Sequence, residues 1–571
     1  MKQYCPLWPM KLYLGLLVHK QVEKLATEII LLQHNPLVGD ARGNAARLAA
    51  LIGQYAVLSR SVLVVTSELY ISGYPPEDLL LRHDFLDSCT KALQDLALLT
   101  AGTSVQLLVG APRKEAGLCY NSAFLLADGK IQQYIDKTHL PNYGVFDEKR
   151  LFVAGCHIHP MDIGGVLVGV MICEDMWQAD VAAALKDRGA QFLLVLNASP
   201  YEQDKQTERL DKARARVTET GLALCYVNQI GGQDDLVFDG GSFALNSAGE
   251  MIARGEFFAP SILELQANGA GVLSSSTPYL AVHPAREELD YTALMMGLRD
   301  YVEKNHFAGV VLGLSGGIDS ALAAILAVDA LGAERVRALM LPSDFTSDES
   351  LEDAAEIAKR SGIRLQQCPI MPAMTVMENS LLPVMGAVRG LTHENLQSRL
   401  RGILLMAVSN ATGWMVLSTG NKSEYAMGYA TLYGDMCGGF AVLKDLYKIR
   451  LYELARWRNL YVPPSSLCPQ LSLIPDNCLS RAPTAELAPG QKDEDSLPPY
   501  PVLDAILEGL IEGRCSVSDM VNKGFAAPLV QEVWKKLLRA EYKRRQAPPG
   551  VKITRQAFER ERRIPMTQGF L

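Results

Sequence analysis

The sequence predicts an α/β protein in two parts, and three observations point to it. Through the first half, short apolar runs alternate with longer mixed segments at strand–helix–strand spacing. Residues 310–331 repeat the unit as a buried strand, a Gly-rich turn and a helix pattern. Between the two, from Gly269 to Pro284, the chain turns Gly-, Ser- and Pro-rich, which marks a boundary. The length of 571 residues agrees, since a domain averages roughly 150 residues.

Composition narrows the class. With 49% hydrophobic and 21% charged residues, the chain buries sizeable cores and is not disordered or collagen-like. Its 11 cysteines are scattered without a C-x-x-C pair, which argues against a disulfide framework and a structural zinc site. Cys156, His157 and His159 lie close together but lack further metal partners. The chain reads as cytoplasmic, with reduced thiols. A net charge of -8 argues against a whole-molecule nucleic-acid binder. From Lys535 onward, eleven Lys or Arg face three Glu. That basic end suits either a local anion site or a solvated face.

Taken in order, residues 1–24 read as an N-terminal extension. The apolar run 11–18 within it is too short to span a bilayer and shows no small-x-small cleavage site. Residues 28–33, 62–66, 105–109, 166–172, 192–196 and 223–227 read as buried strands, and 44–60 and 181–189 as helices. Three junctions carry chemistry: Ser67-Glu68-Leu69, the stretch opening at Lys137-Thr138, and Cys173-Glu174-Asp175. Active groups collect at the carboxyl ends of strands in open α/β sheets. A cysteine opening a helix there is expected to have a lowered pKa, from backbone N–H groups and the helix dipole. Attack on an amide also needs a base and a cation for the oxyanion, and Glu68 and Lys137 suit those roles. Each residue alone reads more readily as a core cysteine or a surface charge.

In the order Glu, Lys, Cys, the words SELYISGYPPEDLL, DKTHLPNYGVFDEKRLF and MICEDMW resemble the nitrilase (carbon–nitrogen hydrolase) superfamily over residues 27–278. The resemblance implies an αββα sandwich that hydrolyses a small amide. Glu68 would be the base, Cys173 the nucleophile and Lys137 the oxyanion stabiliser, with Glu174 in the place of a second acid. LPNYGVFDEKR is similar to the glutaminase domains of the glutamine-dependent NAD synthetase family. That implies glutamine contacts from Tyr143, Ser199 and Lys205, although residues 202–204 depart from the pattern.

The back half opens with an amphipathic helix pattern over 290–305. Strand 310–314 then leads into Ser315-Gly316-Gly317-Ile318-Asp319-Ser320 and a helix over 321–331. Strand, glycine turn and helix N-terminus make a phosphate cradle, but not a Walker loop, because the lysine is missing. S-G-G-x-D-S resembles the ATP pyrophosphatase family. The resemblance implies a doubly wound parallel sheet and transfer of AMP from ATP to a substrate oxygen. ATP would be held by Gly313, Leu314, Ser315, Gly316, Gly317, Ile318, Asp319 and Ser320, and Mg²⁺ would accompany it on Asp319.

Later words resemble NAD synthetases in the same order: residues 394–401 on a helix pattern, 418–424 after a strand over 414–419, 428–436, and 542–552. They imply that Thr419 contacts ATP. Asn395, Glu424, Tyr429, Ala430, Thr431, Leu432 and Lys543 would line a deamido-NAD site, with Glu424 open between metal and dinucleotide. The basic end would face the phosphates of both nucleotides. Arg399 and Arg401 read either as part of this site or as plain helix surface. Arg481 and Thr484 stand where Lys and Ser are expected, and Arg is not equivalent to Lys at a tight phosphate contact. Their loop is expected to order over bound substrate.

The expected organisation is an extension over 1–24, an amidohydrolase domain over 25–278, a linker over 279–289 and a synthetase domain over 290–571. The expected function is ATP-dependent amidation of deamido-NAD with nitrogen from glutamine. Partners would be small molecules and further copies of the chain, not nucleic acid or membrane. Another ammonia-using adenylating synthetase, a regulatory protein with dead sites, and an amidase with a passive partner domain are the alternatives. Pairing two such domains implies a sheltered path for ammonia between them.

Overall fold

The computed structural model describes residues 27–55, 61–268, 270–275 and 279–570. The proposed extension 1–24, with its apolar run, and the boundary at 278 lie outside the described residues. The front half is a four-layer αββα sandwich. Among the described residues, one sheet has seven strands and runs Leu273–Ser274, Ser261–Ala267, Thr27–Gln33, Val62–Val65, Val105–Glu115, Leu118–Ala127, Lys130–Asp136. The other has six, in the order Met251–Arg254, Phe243–Leu245, Leu224–Val227, Phe192–Leu196, Val166–Ile172, Met161–Ile163.

Alternation of side chains across each strand explains the layers. Leu31, Val65, Leu108, Ile172, Leu194 and Leu196 meet in the core between the sheets. Ile30, Val64 and Leu107 face the helices Ala41–Tyr55 and His83–Leu99 on one outer face. Leu193 and Val195 face Ala179–Asp187 and Lys205–Thr220 on the other. The strands are apolar on both sides because both sides are covered.

The back half is a five-stranded sheet, Arg364–Gln367, Val336–Met340, Val310–Gly313, Met415–Ser418, Phe440–Ala441, parallel at every pairing. Helices cover both faces, which makes it doubly wound. Ile318–Leu331 and Arg286–Lys304 lie in the core on one side. Leu404, Leu405 and Val408 of Leu391–Thr412 pack on the other.

The helix Arg286–Lys304 begins four residues inside the expected linker 279–289. What remains of the linker starts by pairing with a strand edge: Arg254 donates to the Tyr279 carbonyl at 2.8 Å and Ala281 to that of Arg254 at 3.1 Å. This helix joins the halves, because its core cluster also contains Tyr201, Val237, Phe257 and Phe258 from the sandwich. Asp300 accepts from Gly232 N at 2.7 Å and Asn35 Nδ2 at 2.6 Å. The C-terminal tail returns across the same seam: Lys552 bonds Glu202 at 2.8 Å, and its backbone N–H bonds the Asp235 carbonyl at 2.8 Å. No helix among the described residues is long and apolar enough to cross a membrane.

Candidate active sites

The first site gathers at three strand ends of the sandwich. Glu68 follows strand Val62–Val65 in a turn pressed against Gly110, where a Cβ would stand 2.5 Å from both the Leu69 nitrogen and the Ser67 carbonyl oxygen. Only glycine permits that approach. Glu68 Oε1 accepts from Lys137 Nζ and Asn121 Nδ2, each at 2.7 Å, and Oε2 accepts from Ala198 N at 3.1 Å. Lys137 Nζ also reaches Glu148 Oε1 at 2.9 Å, which in turn accepts from Tyr74 Oη at 2.9 Å. Glu68 and Lys137 are fully buried.

Cys173 ends strand Val166–Ile172 with φ 48°, a left-handed conformation rare outside glycine. Strain of this kind is stored where surrounding structure over-determines it. Asp175 does so here. Its Oδ1 accepts from the backbone of Thr138 and His139 at 3.1 and 2.8 Å, and Oδ2 from Ile172 N at 3.1 Å. It thereby ties the cysteine turn to the Lys137 strand end.

The expected lowering of the Cys173 pKa is not found. The cysteine opens a four-residue turn of 3-10 helix, Cys173–Met176, not a full helix. Burial and the Glu68 carboxylate push its thiol well up, against the pull of Lys137. Burial also works against Lys137, but Cys173, Glu148 and Glu68 outweigh it and hold the ammonium charged well beyond its ordinary range. Burial raises Glu148 to about 7, with Lys137 opposing.

The second carboxylate bonded to Lys137 is thus Glu148. Glu174, expected in that place, instead accepts from Tyr143 Oη at 2.7 Å. Glu148 lay inside the quoted word DEKR, but nothing local separates it from a surface charge. Tyr143 is half-exposed. Lys205 places Nζ 4.5 Å over the Trp177 ring, next to the cysteine turn, and bonds Glu208 at 3.2 Å. Ser199 is buried; its Oγ accepts from Arg209 Nε at 3.0 Å, and Arg209 is locked by Asp239 at 2.7 Å. Tyr143 and Lys205 thus flank the Cys173 turn, while Ser199 follows Ala198, the donor to Glu68.

The second site is a cavity of about 440 Å³ at the carboxyl end of the parallel sheet. Gly313, Leu314, Ser315, Gly317, Ile318, Asp319, Ser320 and Thr419 line it, as do Asn395, Glu424, Tyr429, Ala430, Thr431 and Lys543. Two expected residues do not. Gly316 lies behind the turn at φ +81°, and a Cβ there would meet the Ser350 carbonyl at 2.3 Å. Leu432 is partly buried against the core cluster that contains Tyr425, and its carbonyl accepts from Arg399 Nε at 3.1 Å. The turn is held by its own serines: Ser315 N donates to Ser320 Oγ at 3.1 Å, and Ser320 Oγ to the Gly317 carbonyl at 3.0 Å.

Arg401 is not plain helix surface. It lines the cavity, Nε bonds the Leu341 carbonyl at 3.0 Å, and burial lowers its pKa to about 10. The basic end faces the cavity through Lys543 alone among the described residues. Its Nζ bonds the carbonyls of Gly428 and Ala430 at 2.8 and 2.7 Å. Arg544 is spent on the Tyr425 and Ala426 carbonyls, and Lys552 on Glu202, because buried carbonyls and carboxylates must be satisfied. The loop with Arg481 and Thr484 lies over the cavity. Arg481 Nη2 bonds the Gly316 carbonyl at 3.1 Å, and Glu486 accepts from Ser347 and Ser350 at 2.9 and 2.8 Å.

Asp319 and Glu424 face a buried cation, Lys448, that sequence reasoning passed over. Its Nζ is 2.5 Å from Asp319 Oδ2 and 3.4 Å from Glu424 Oε1. Burial and the Asp319 charge raise Glu424 to about 8, with Lys448 opposing. Two carboxylates at the edge of this cavity are oxygen ligands of the kind a divalent cation takes. Among the described residues no cluster of three or more His, Cys, Asp or Glu that could hold a metal ion is present, at this cavity or elsewhere.

Fold and sites together define a bifunctional protein: an amidohydrolase joined to a nucleotide-binding synthetase. Residues 29–271 match the carbon–nitrogen hydrolase family and 290–547 the NAD synthase family. The glutamine-dependent NAD(+) synthetase of Rhodobacter capsulatus is 44% identical over 94% of this chain and 98% of its own length. That of Xanthomonas campestris is 44% identical over 93% and 96%. The structure of the Acinetobacter baumannii glutamine-dependent NAD+ synthetase in complex with ADP superposes with a TM-score of 0.75, at 40% identity, over 95% of this chain and 98% of that one. The chain belongs to the glutamine-dependent NAD(+) synthetase family.

Proposed function

We propose that this chain makes NAD⁺ from deamido-NAD⁺, ATP and glutamine, releasing AMP, diphosphate and glutamate. In the sandwich, Glu68 takes the Cys173 proton as sulfur attacks the side-chain amide carbon of glutamine. Lys137 stabilises the oxyanion. Glu68 returns the proton to the departing nitrogen and ammonia leaves a thioester, which water hydrolyses with Glu68 again as base. A thiol raised by burial and the Glu68 carboxylate supports this order, with the proton moving during attack. Tyr143, Ser199 and Lys205 hold the glutamine.

In the second domain, residues 313–320 and Thr419 hold ATP. Asn395, Tyr429, Ala430, Thr431 and Lys543 hold deamido-NAD⁺ beside it. Asp319 and Glu424 would hold Mg²⁺, which neutralises phosphate charge when bound. The nicotinate carboxylate is too poor an electrophile for ammonia, so it is first adenylated; ammonia then displaces AMP. Free ammonium at neutral pH is protonated and non-nucleophilic, which favours a sheltered path across the seam. Entry of labelled free ammonium as readily as glutamine nitrogen would sink that path. The working form is a self-associated cytoplasmic enzyme, with light scattering as the check on association and cell fractionation on location.

The observation that carries the reading is the Glu68–Lys137–Cys173 cluster and the Ser315–Ser320 cradle in one chain. The test is NAD⁺ formation with glutamine or ammonium by wild type and Cys173→Ala. Loss of the glutamine reaction alone supports it. A mutant that still uses glutamine has another nucleophile, and a wild type that makes no NAD⁺ from either source refutes the synthetase assignment.

A further inference from the structure

Lys448 opens the helix Lys448–Leu460, and its side chain is 1% exposed. Between it and Asn421, every oxygen of the Asp319 and Glu424 carboxylates is engaged. Asp319 Oδ2 and Glu424 Oε1 face Lys448 Nζ. Asp319 Oδ1 accepts from Asn421 Nδ2 at 2.7 Å, and Glu424 Oε2 from the Asn421 backbone N–H at 3.2 Å. Asn421 is itself held in place as the cap of the helix Lys422–Met427, where its Oδ1 accepts from Glu424 N at 3.0 Å. The lysine contact rests on a flexible four-carbon stem carrying a point charge. It is also the contact that faces the cavity, since Lys448 lines it together with the Ser315–Ser320 turn.

A divalent ion of the magnesium kind needs carboxylate lone pairs at about 2.0–2.1 Å. The lone pairs between these two carboxylates are taken by the ammonium. We propose that Lys448 is an internal counter-cation, held between Asp319 and Glu424 until a divalent ion arrives with nucleotide. It then transfers its ammonium to the phosphate oxygens in the same cavity. The inference rests on the nucleotide-site reading given above. Charge gives the direction of the exchange. A bare ion would drive the ammonium off both partners and leave two cations side by side in a poorly solvated pocket. Nucleotide phosphates offer the displaced ammonium a new anion. Metal and nucleotide are thereby made to bind as one unit, and Lys448 is a positioning residue.

Mn²⁺ is the probe, read by the paramagnetic resonance of the free ion against the full-length chain. Titrations run without nucleotide and with an ATP analogue carrying a methylene between the α- and β-phosphates. Nucleotide-free wild type is expected to hold Mn²⁺ no tighter than Asp319→Asn. With the analogue, wild type gains an Asp319-dependent site. Lys448→Met should bind Mn²⁺ without nucleotide at least about tenfold tighter than wild type, the scale of one like charge removed at contact distance. Lys448→Met with Asp319→Asn should lose that gain. Asp319-dependent Mn²⁺ binding by nucleotide-free wild type, as tight as with the analogue, overturns the exchange; this comparison needs no lysine variant to fold. Equal affinity in folded Lys448→Met and wild type overturns it as well. Calorimetry of the analogue reads the underlying site separately. If the analogue binds and Mn²⁺ never required it, the exchange alone falls. If the analogue does not bind, the nucleotide-site reading falls with it.

Discussion

Each of the two sites sets a buried lysine between two carboxylates. Lys137 lies 2.7 Å from Glu68 and 2.9 Å from Glu148; Lys448 lies 2.5 Å from Asp319 and 3.4 Å from Glu424. The surroundings differ. In the sandwich the Glu68 and Glu148 side chains are 0% and 6% exposed. In the synthetase half Asp319 and Glu424 keep 21% and 18% at the edge of the cavity. The neighbouring Cys173, Glu148 and Glu68 keep the first lysine charged despite its burial, as the proposed oxyanion role requires. Openness leaves the second cation exchangeable. The same three kinds of group are suited to different chemistry because of how far water and ligand can approach.

The largest effect expected is Lys137→Met. Glutamine-driven NAD⁺ formation should fall by on the order of 10³-fold or more, while the ammonium-driven rate stays near wild type. Parallel losses would break the division of labour between the halves. Asp319→Asn should act the other way, lowering both rates together by about 10²-fold, checked in the same pair of assays.

Each half also buries an arginine against an aspartate, Arg209–Asp239 at 2.7 Å and Arg458–Asp329 at 2.7 Å. Removing either arginine should cost about 3–5 kcal/mol by denaturant unfolding, because a carboxylate is left buried and unpaired. Arg209→Met should in addition raise the glutamine KM through Ser199. Arg458→Met should leave the KM for glutamine unchanged.

The buried acids give a pH dependence with a definite sign. Glu148 sits near 7 and Glu424 near 8, against an ordinary 4.5. The folded state therefore holds protons that the unfolded chain has lost. Their stability contribution is present below about pH 4.5 and declines as pH rises through 7 for Glu148 and 8 for Glu424. Melting temperatures from pH 5 to 9 should fall less steeply in Glu148→Gln below about 7 and in Glu424→Gln up to about 8. The smallest effect lies at the seam. Tyr201→Phe deletes a bond of 2.7 Å to Asp290 and should cost about 1 kcal/mol by the same unfolding assay.

Much of the molecule was legible in its residues. The strand Val166–Ile172 is an unbroken apolar run that stops at Cys173, and both facts follow from a buried strand ending at a site. The Ser315–Ser320 turn declared itself because glycines, serines and an aspartate between a strand and a helix have few other uses. Glu148 and Lys448 did not declare themselves. Each looks like a surface charge locally, and Lys448 stands 129 residues from the aspartate it serves.

What the sequence determined by itself was local: the period of its apolar residues, the turns its glycines allow, and the side chains placed at strand ends. What only the tertiary structure decided was which charges meet and how deeply they are buried. It placed Glu148 rather than Glu174 as the second carboxylate against Lys137, and it sent most of the basic tail to carbonyls and to the other domain. It also raised the Cys173 thiol that the sequence expected to be lowered. The physical reason is that periodicity is a property of neighbours along the chain. The energy of a charge depends on desolvation and on partners brought near by folding, and neither is written in the residues that flank it.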